Sequence, residues 1–290
     1  MMQEEEDVPQ NITPQEEREL VRTYNHLCHF LKRSKLEKEA APKRARRQEL
    51  IDKVQTSKKI HEIRQQQELE QNGSALAQQQ IDELDSSYAD LAPMGSVEMA
   101  QMQDDINQLT AEINGIESQI EALRSDPDKK IRAPDLMEAL RFLGKKVTKK
   151  EVADMIWEVD ENLDGCVDWE EYRLMFQRNI FDRTGLEPSK LYNMVQFMIY
   201  DHDNKGLVSV DQTMNMLYAR YGRSRMEQKL RELFGTDMRE NGKQGGEIDF
   251  LTYLQAVERT QMNTFLNTSL GKTTAAKTAK RLGGTEKQKM

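Results

Sequence analysis

Four positions in the second half of the chain restrict what it can fold into. Ile131, Val167, Val208 and Ile248 each stand between a small or polar loop and an amphipathic run, at spacings of 36, 41 and 40 residues. Five and nine places after each anchor come Leu136 and Leu140, Tyr172 and Phe176, Thr213 and Leu217, Tyr253 and Val257. Only Thr213 breaks the apolar rule. A repeat of this length with helical offsets is one supersecondary unit used four times, and it predicts four helix-loop-helix units in two pairs.

The loop before the second helix of the second unit reads DENLDGCVDWEE, residues 160–171. Asp160, Asn162 and Asp164 alternate so that three oxygen-bearing side chains converge, and Gly165 permits the positive φ of a sharp turn. Cys166 offers its backbone carbonyl, Asp168 ligates directly or through water, and Glu171 closes the sphere with two oxygens. Val152, Ile156 and Val159 form the entering helix face upstream, and Val167 is expected to pair in a short strand with its partner loop.

On these residues the segment from about 116 to 260 resembles the EF-hand family, to which calmodulin and troponin C belong. The stretch APDLMEALRFLGKKVTKKEVADMIWEVDENLDGCVDWEEY matches the linker between the first two hands and the whole second loop. The resemblance implies an all-α fold with two EF-hand pairs, and one bound ion, calcium, for which magnesium can compete. The family register also shows what the other units have lost. The first loop would run from Arg124 to Asp135 with Asp126 and Asp128 in ligand places, but Arg124 opens it and Lys129 replaces the turn glycine. In the third, Asp201, Asp203, Gly206, Val208 and Ser209 fit, whereas Lys205 puts an ammonium where an oxygen belongs and Gln212 replaces the closing carboxylate. In the fourth, GTDMRENGKQGGE lengthens the loop and Thr252 replaces the closing acid. Three loops are therefore expected to serve packing, the third binding weakly at best. DRTGLEP, with Gly185 and Pro188, is expected to bend the linker between two lobes.

The first half is of another kind. Residues 15–90 are rich in Glu, Gln, Lys and Arg with apolar positions only in patches such as Leu20, Tyr24, Leu27 and Leu31, which predicts helix without a stable core. From Met99 through Met102, Ile106, Leu109, Ile113, Ile116, Ile120 and Leu123 the steps alternate between three and four. That stripe reads as a coiled-coil seam or as a helix laid on an apolar partner. Its end, Ile116, Ile120 and Leu123, falls where the family places the entering helix of the first hand. The expected organisation is an acidic start at 1–14, an extended helical or coiled-coil region at 15–98 and a helix leading into the first pair at 99–182. A degenerate second pair at 188–262 and a basic tail at 263–290 complete it.

Charge is segregated: residues 32–64 carry twelve Lys and Arg against five acids, and residues 272–290 six against one, although the chain as a whole is at -8. These basic runs lack interleaved aromatics and any nucleic-acid module, so base reading is not expected; an acidic polymer surface, such as a microtubule, suits them. No Ser-His-Asp or Cys-His set points to catalysis. Two cysteines form no disulfide framework, and no run of apolar residues is long enough for a signal peptide or membrane span, so a cytoplasmic setting is expected. The mixture resembles coiled-coil EF-hand proteins of cilia and the cytoskeleton, which implies protein partners on a filament or axoneme, with self-association through the stripe as an option. The competing expectation is a calmodulin-like sensor that grips partner helices through its methionines: Met137, Met155, Met175, Met194, Met198, Met214 and Met216.

Overall fold

The computed structural model describes residues 11–69, 95–182, 184–235 and 246–267. Residues 1–10 of the acidic start, the break at Asn72–Ser74, residues 236–245 of the long fourth loop and residues 268–290 of the basic tail lie outside these residues. Among those described, no helix is long and apolar enough to cross a membrane.

The chain divides into two compact units, residues 32–127 and the remainder. The remainder begins with α1 (Pro14–Leu27) and, after the other unit, runs β1 (Ile131–Arg132), α4 (Ala133–Phe142), α5 (Lys149–Trp157), β2 (Cys166–Val167) and α6 (Trp169–Phe181). It continues with α7 (Lys190–Tyr200), β3 (Leu207–Val208), α8 (Val210–Phe234), β4 (Ile248–Asp249) and α9 (Phe250–Asn267). The four anchors sit in the four short strands. Ile131 pairs with Val167 and Val208 with Ile248, both antiparallel. Helix starts follow local capping chemistry: Thr13 with Glu16, Thr148 with Glu151, Asp168 with Glu171 and Ser209 with Gln212 form capping boxes, each satisfying two otherwise orphan backbone N–H groups. Gly222, at φ 67°, kinks α8.

The linker after α6 is bent, as Gly185 and Pro188 imply: the Asp182 carboxylate accepts from the amides of Thr184, Gly185 and Glu187, and Gly185 takes φ 71°. The two pairs nevertheless share one continuous core, in which Leu136, Phe176, Phe197, Phe250 and Tyr253 belong to the same cluster. Met155, Met175, Met194, Met198 and Met216 are buried there as packing residues, while Met214 is at the surface.

One expectation is corrected. Leu20, Tyr24 and Leu27 of α1 are part of that core, so the start of the Gln- and Glu-rich region does have a stable place to pack. Helix α1 lies on α4, α6, α7 and α8. Its stripe at steps of four and three is too short to be stable alone, but it fits a surface supplied by residues more than a hundred positions away.

The other unit comprises most of α2 (Phe30–Leu69) and α3 (Ser96–Arg124). Leu36 and Ala40 meet Ile116 and Ile120, and Leu50, Ile51 and Val54 meet Met102, Ile106 and Leu109. Rising numbers on one helix thus oppose falling numbers on the other, which makes an antiparallel helical pair. The stripe is a helix laid on an apolar partner, and its end is spent on α2: Ile116 and Ile120 do not enter the EF-type core. Lys43 pairs with Glu112 and Arg44 with Glu117, both at 3.1 Å, so α3 answers part of the positive charge of α2.

Leu20 is fully buried, and Leu20→Ala is expected to destabilise the α1-containing unit by about 3 kcal/mol, read as a lowered urea midpoint in far-ultraviolet circular dichroism.

Candidate metal centre

The loop at 160–171 is held between two helices by its own side chains. Helix α5 ends as the Asp160 amide donates to Ile156 O at 2.9 Å. The chain then turns through Leu163 at φ 61° and Gly165 at φ 78°, and α6 starts at the Asp168–Glu171 capping box. The Asp160 carboxylate accepts from the amides of Asp164 at 3.2 Å and Gly165 at 2.8 Å. Asn162 Oδ1 accepts from Asp164 N, and Asp164 Oδ1 from Cys166 N. Glu171 reaches back across the loop: Oε1 accepts from Glu161 N at 2.9 Å and Asn162 N at 3.2 Å, and Oε2 from Asp168 N at 3.0 Å. Asp160 and Glu171, the first and last acids, are buried at 8% and 6% exposure.

All the residues expected from the sequence are thus in one loop: Asp160, Asn162, Asp164, Cys166, Asp168 and Glu171. The carboxylates of Asp160 and Glu171 are directed at loop amides. Among the described residues, no three or more His, Cys, Asp or Glu side chains are gathered closely enough to hold a metal ion. The donor chemistry fits a hard divalent cation: four carboxylates, an amide oxygen and the Cys166 carbonyl, with the first and last acids already turned inward by the loop amides. Burial pushes the Cys166 thiol up, so sulfur contributes no thiolate to this set at neutral pH.

Lys130 is a feature of the loop that ligand counting missed. Its ammonium lies 2.5 Å from Asp164 Oδ2 and 3.8 Å from Asp168 Oδ2. The hydrogen bond from Lys130 holds the Asp164 carboxyl below the usual carboxylate range, and the same contact raises the lysine. The signal was present in the register: with Ile131 opposite Val167, the residue before the first anchor falls opposite the residue after the second.

Known proteins are similar in sequence to this part of the chain. The EF-hand domain pair family matches residues 127–179. "Probable calcium-binding protein CML13" of Oryza sativa subsp. japonica is 30% identical over 131 residues, covering 45% of this chain and 72% of that protein. The chain belongs to the EF-hand family. "Calcium-binding protein CML19" of Arabidopsis thaliana is 27% identical over 131 residues, 45% of this chain and 73% of that protein.

Within the EF-hand frame the third loop keeps its shape without its charges. Asn204 and Gly206 take φ 51° and 75°, repeating Leu163 and Gly165, and the Asp201 carboxylate accepts from the amides of Lys205 and Gly206 as Asp160 does in the second loop. Lys205 pairs with Asp203 at 3.0 Å, and Gln212 replaces the closing acid by accepting from Ser209 N at 2.9 Å. In the first hand the closing carboxylate, Asp135, is turned elsewhere: it accepts from the amide of Leu31 in the first turn of α2 at 3.0 Å. Burial pushes that carboxyl up.

A Cβ at Gly165 would meet nothing within 4 Å, so the cost of Gly165→Ala is backbone strain alone. The variant is expected to lose about 1–2 kcal/mol, measured by chemical denaturation in chelator, against an unchanged denaturant slope.

Proposed function

We propose that this EF-hand chain is a non-enzymatic calcium-binding structural component of a microtubule-based cytoskeletal assembly, with the loop at 160–171 as its competent site. The observation that carries the calcium reading is the complete oxygen donor set of that loop beside three incomplete ones. Asp160, Asn162, Asp164, Asp168 and Glu171 would hold the ion with side-chain oxygens and Cys166 with its carbonyl. Calcium supplies a divalent charge that neutralises four acids within one turn; magnesium, smaller and demanding octahedral geometry, competes less well for such a site. The relatives' printed names, which describe calcium-binding proteins, support the same reading.

Lys130 gives this reading a two-sided test. An ammonium against Asp164 and Asp168 competes with an incoming cation for the same oxygens. By calorimetry, Glu171→Gln is expected to weaken calcium binding roughly a hundredfold, about 2.7 kcal/mol, and Lys130→Gln to strengthen it several-fold. Unchanged heats in Glu171→Gln would remove the loop from consideration.

A fixed component is favoured over a reversible sensor because Leu20, Tyr24 and Leu27 of α1 are packed into the core of the hands. The charge argument for an acidic polymer is narrower than composition suggests, since Lys43, Arg44, Arg46 and Lys53 of α2 are paired with acids of the same unit. It rests on the run at 272–290. Co-sedimentation of the full chain with microtubules is expected to fall steeply as salt rises, and to drop when the lysines and arginines of 272–290 are replaced by glutamine. Salt-independent pelleting would contradict it.

A further inference from the structure

The seam of the helical pair does not close at its end. Ile113, Ile116 and Ile120 of α3 are buried, and so is Ala40 of α2, but Leu36 and Leu123, the last residue of the stripe, are only half-buried. The cause lies in the sequence of α2. One turn before Leu36, where the antiparallel register calls for an apolar residue against Leu123, stand Lys32 and Arg33. The stem of such a side chain can lie along a leucine, but its charged head keeps to water, so the layer is left unfilled. What remains is a groove of about 700 Å³, lined by Leu36, Ala122, Leu123 and Pro127 together with Lys32 and Lys35. That size falls within the range of about 300–1,000 Å³ that bound ligands occupy.

The two lysines are unlike other bases of their helix. Lys43, Arg44, Arg46 and Lys53 are paired with acids of the same unit, whereas Lys32 and Lys35 have no acidic partner among the described residues. Three places apart, they are neighbours on one face of α2, and both line the groove. Exposed ion pairs are weak singly, and an open apolar groove of this kind is weak alone. A partner that satisfies both halves must carry carboxylates and a large apolar side chain on the same short segment. A lipid surface is a poor match, since it rewards a broad basic field, and here the carboxylate-bearing Asp126 lines the groove along with the two lysines.

We propose that this groove of the helical pair is a docking site for an acidic segment of a partner protein. A large apolar or aromatic side chain of that segment covers Leu36 and Leu123, and carboxylates on either side of it take Lys32 and Lys35. Specificity comes from the combination, because an acid-rich segment without the apolar residue leaves the groove open and an apolar one without acids leaves both lysines unanswered. The site lies outside the EF-hand loops and rests on neither the calcium nor the microtubule reading. Its test is run in chelator, so that it fails or stands apart from them.

The full chain, with its leucine and alanine methyl groups isotopically labelled, is titrated with the peptide Glu-Glu-Leu-Phe-Glu-Glu and followed by nuclear magnetic resonance. Shifts are expected to concentrate on Leu36, Ala122 and Leu123. A peptide with glutamine in place of every glutamate, and one of glutamate alone, are each expected to bind at least tenfold more weakly. Lys32→Glu with Lys35→Glu is expected to weaken the parent peptide by at least tenfold. Absence of shifts at these methyls, equal binding of either control peptide, or binding unchanged by the charge reversal would overturn the proposal. Should the reversal cost the chain its cooperative melt, Ala122→Trp decides. That substitution, at an exposed helix position, fills the groove and is expected to abolish the peptide-induced shifts of Leu36 and Leu123; retained shifts would end the idea. So would movement of the same methyls with chain concentration alone, which assigns the groove to a second copy, or with phosphatidylserine vesicles but not the peptide, which assigns it to a lipid surface.

Discussion

The EF-hand unit depends on two very short antiparallel bridges, Ile131 with Val167 and Val208 with Ile248. Each bridge locks two loops back to back, and each loop then orients the helices on either side of it. The loops hold their shape through carboxylates that accept backbone amides: Asp160 takes the amide of Gly165, and Asp201 that of Gly206, both at 2.8 Å. Part of this scaffold is therefore made of hydrogen bonds inside the protein. The third hand keeps this scaffold and its place in the core with Lys205 and Gln212 in its loop.

The parts of this architecture that were legible in the sequence are those set by local rules. The anchors, the offsets to Leu136, Tyr172 and Tyr253, and the turn glycines at 165 and 206 are fixed by helical period and by φ, which act within a dozen residues. The bend at Gly185 is of the same kind. The place of α1 was not legible, because Leu20, Tyr24 and Leu27 identify an amphipathic helix without naming its distant partner. Ile116 and Ile120 failed in the opposite sense: they suit both a seam with α2 and an entering EF-hand helix, and only the presence of Leu36 and Ala40 decides between them. For the candidate metal centre, six residues could be named from the sequence as expected ligands, but the lysine against two of them required strand register as well as composition.

Charge in the helical pair follows a similar logic. Read alone, α2 is a basic arm; packed, it faces Glu112 and Glu117 of α3. Exposed pairs of this sort contribute little, and the apolar contacts of Leu50 and Ile106 hold the helices together.

Asp135 shows a carboxylate at a loop-closing position engaged outside its loop. Its carboxylate would close the first loop around an ion, but it is spent on the amide of Leu31, at a helix start where four N–H groups lack partners of their own. The residue therefore has a structural role whether or not the loop binds an ion. Restoring Gly at 129 and acids at the head of the loop would recreate an ion site only by withdrawing Asp135 from α2, leaving an amide without its acceptor. An ion in the first loop would thus compete with the start of α2 for the same carboxylate.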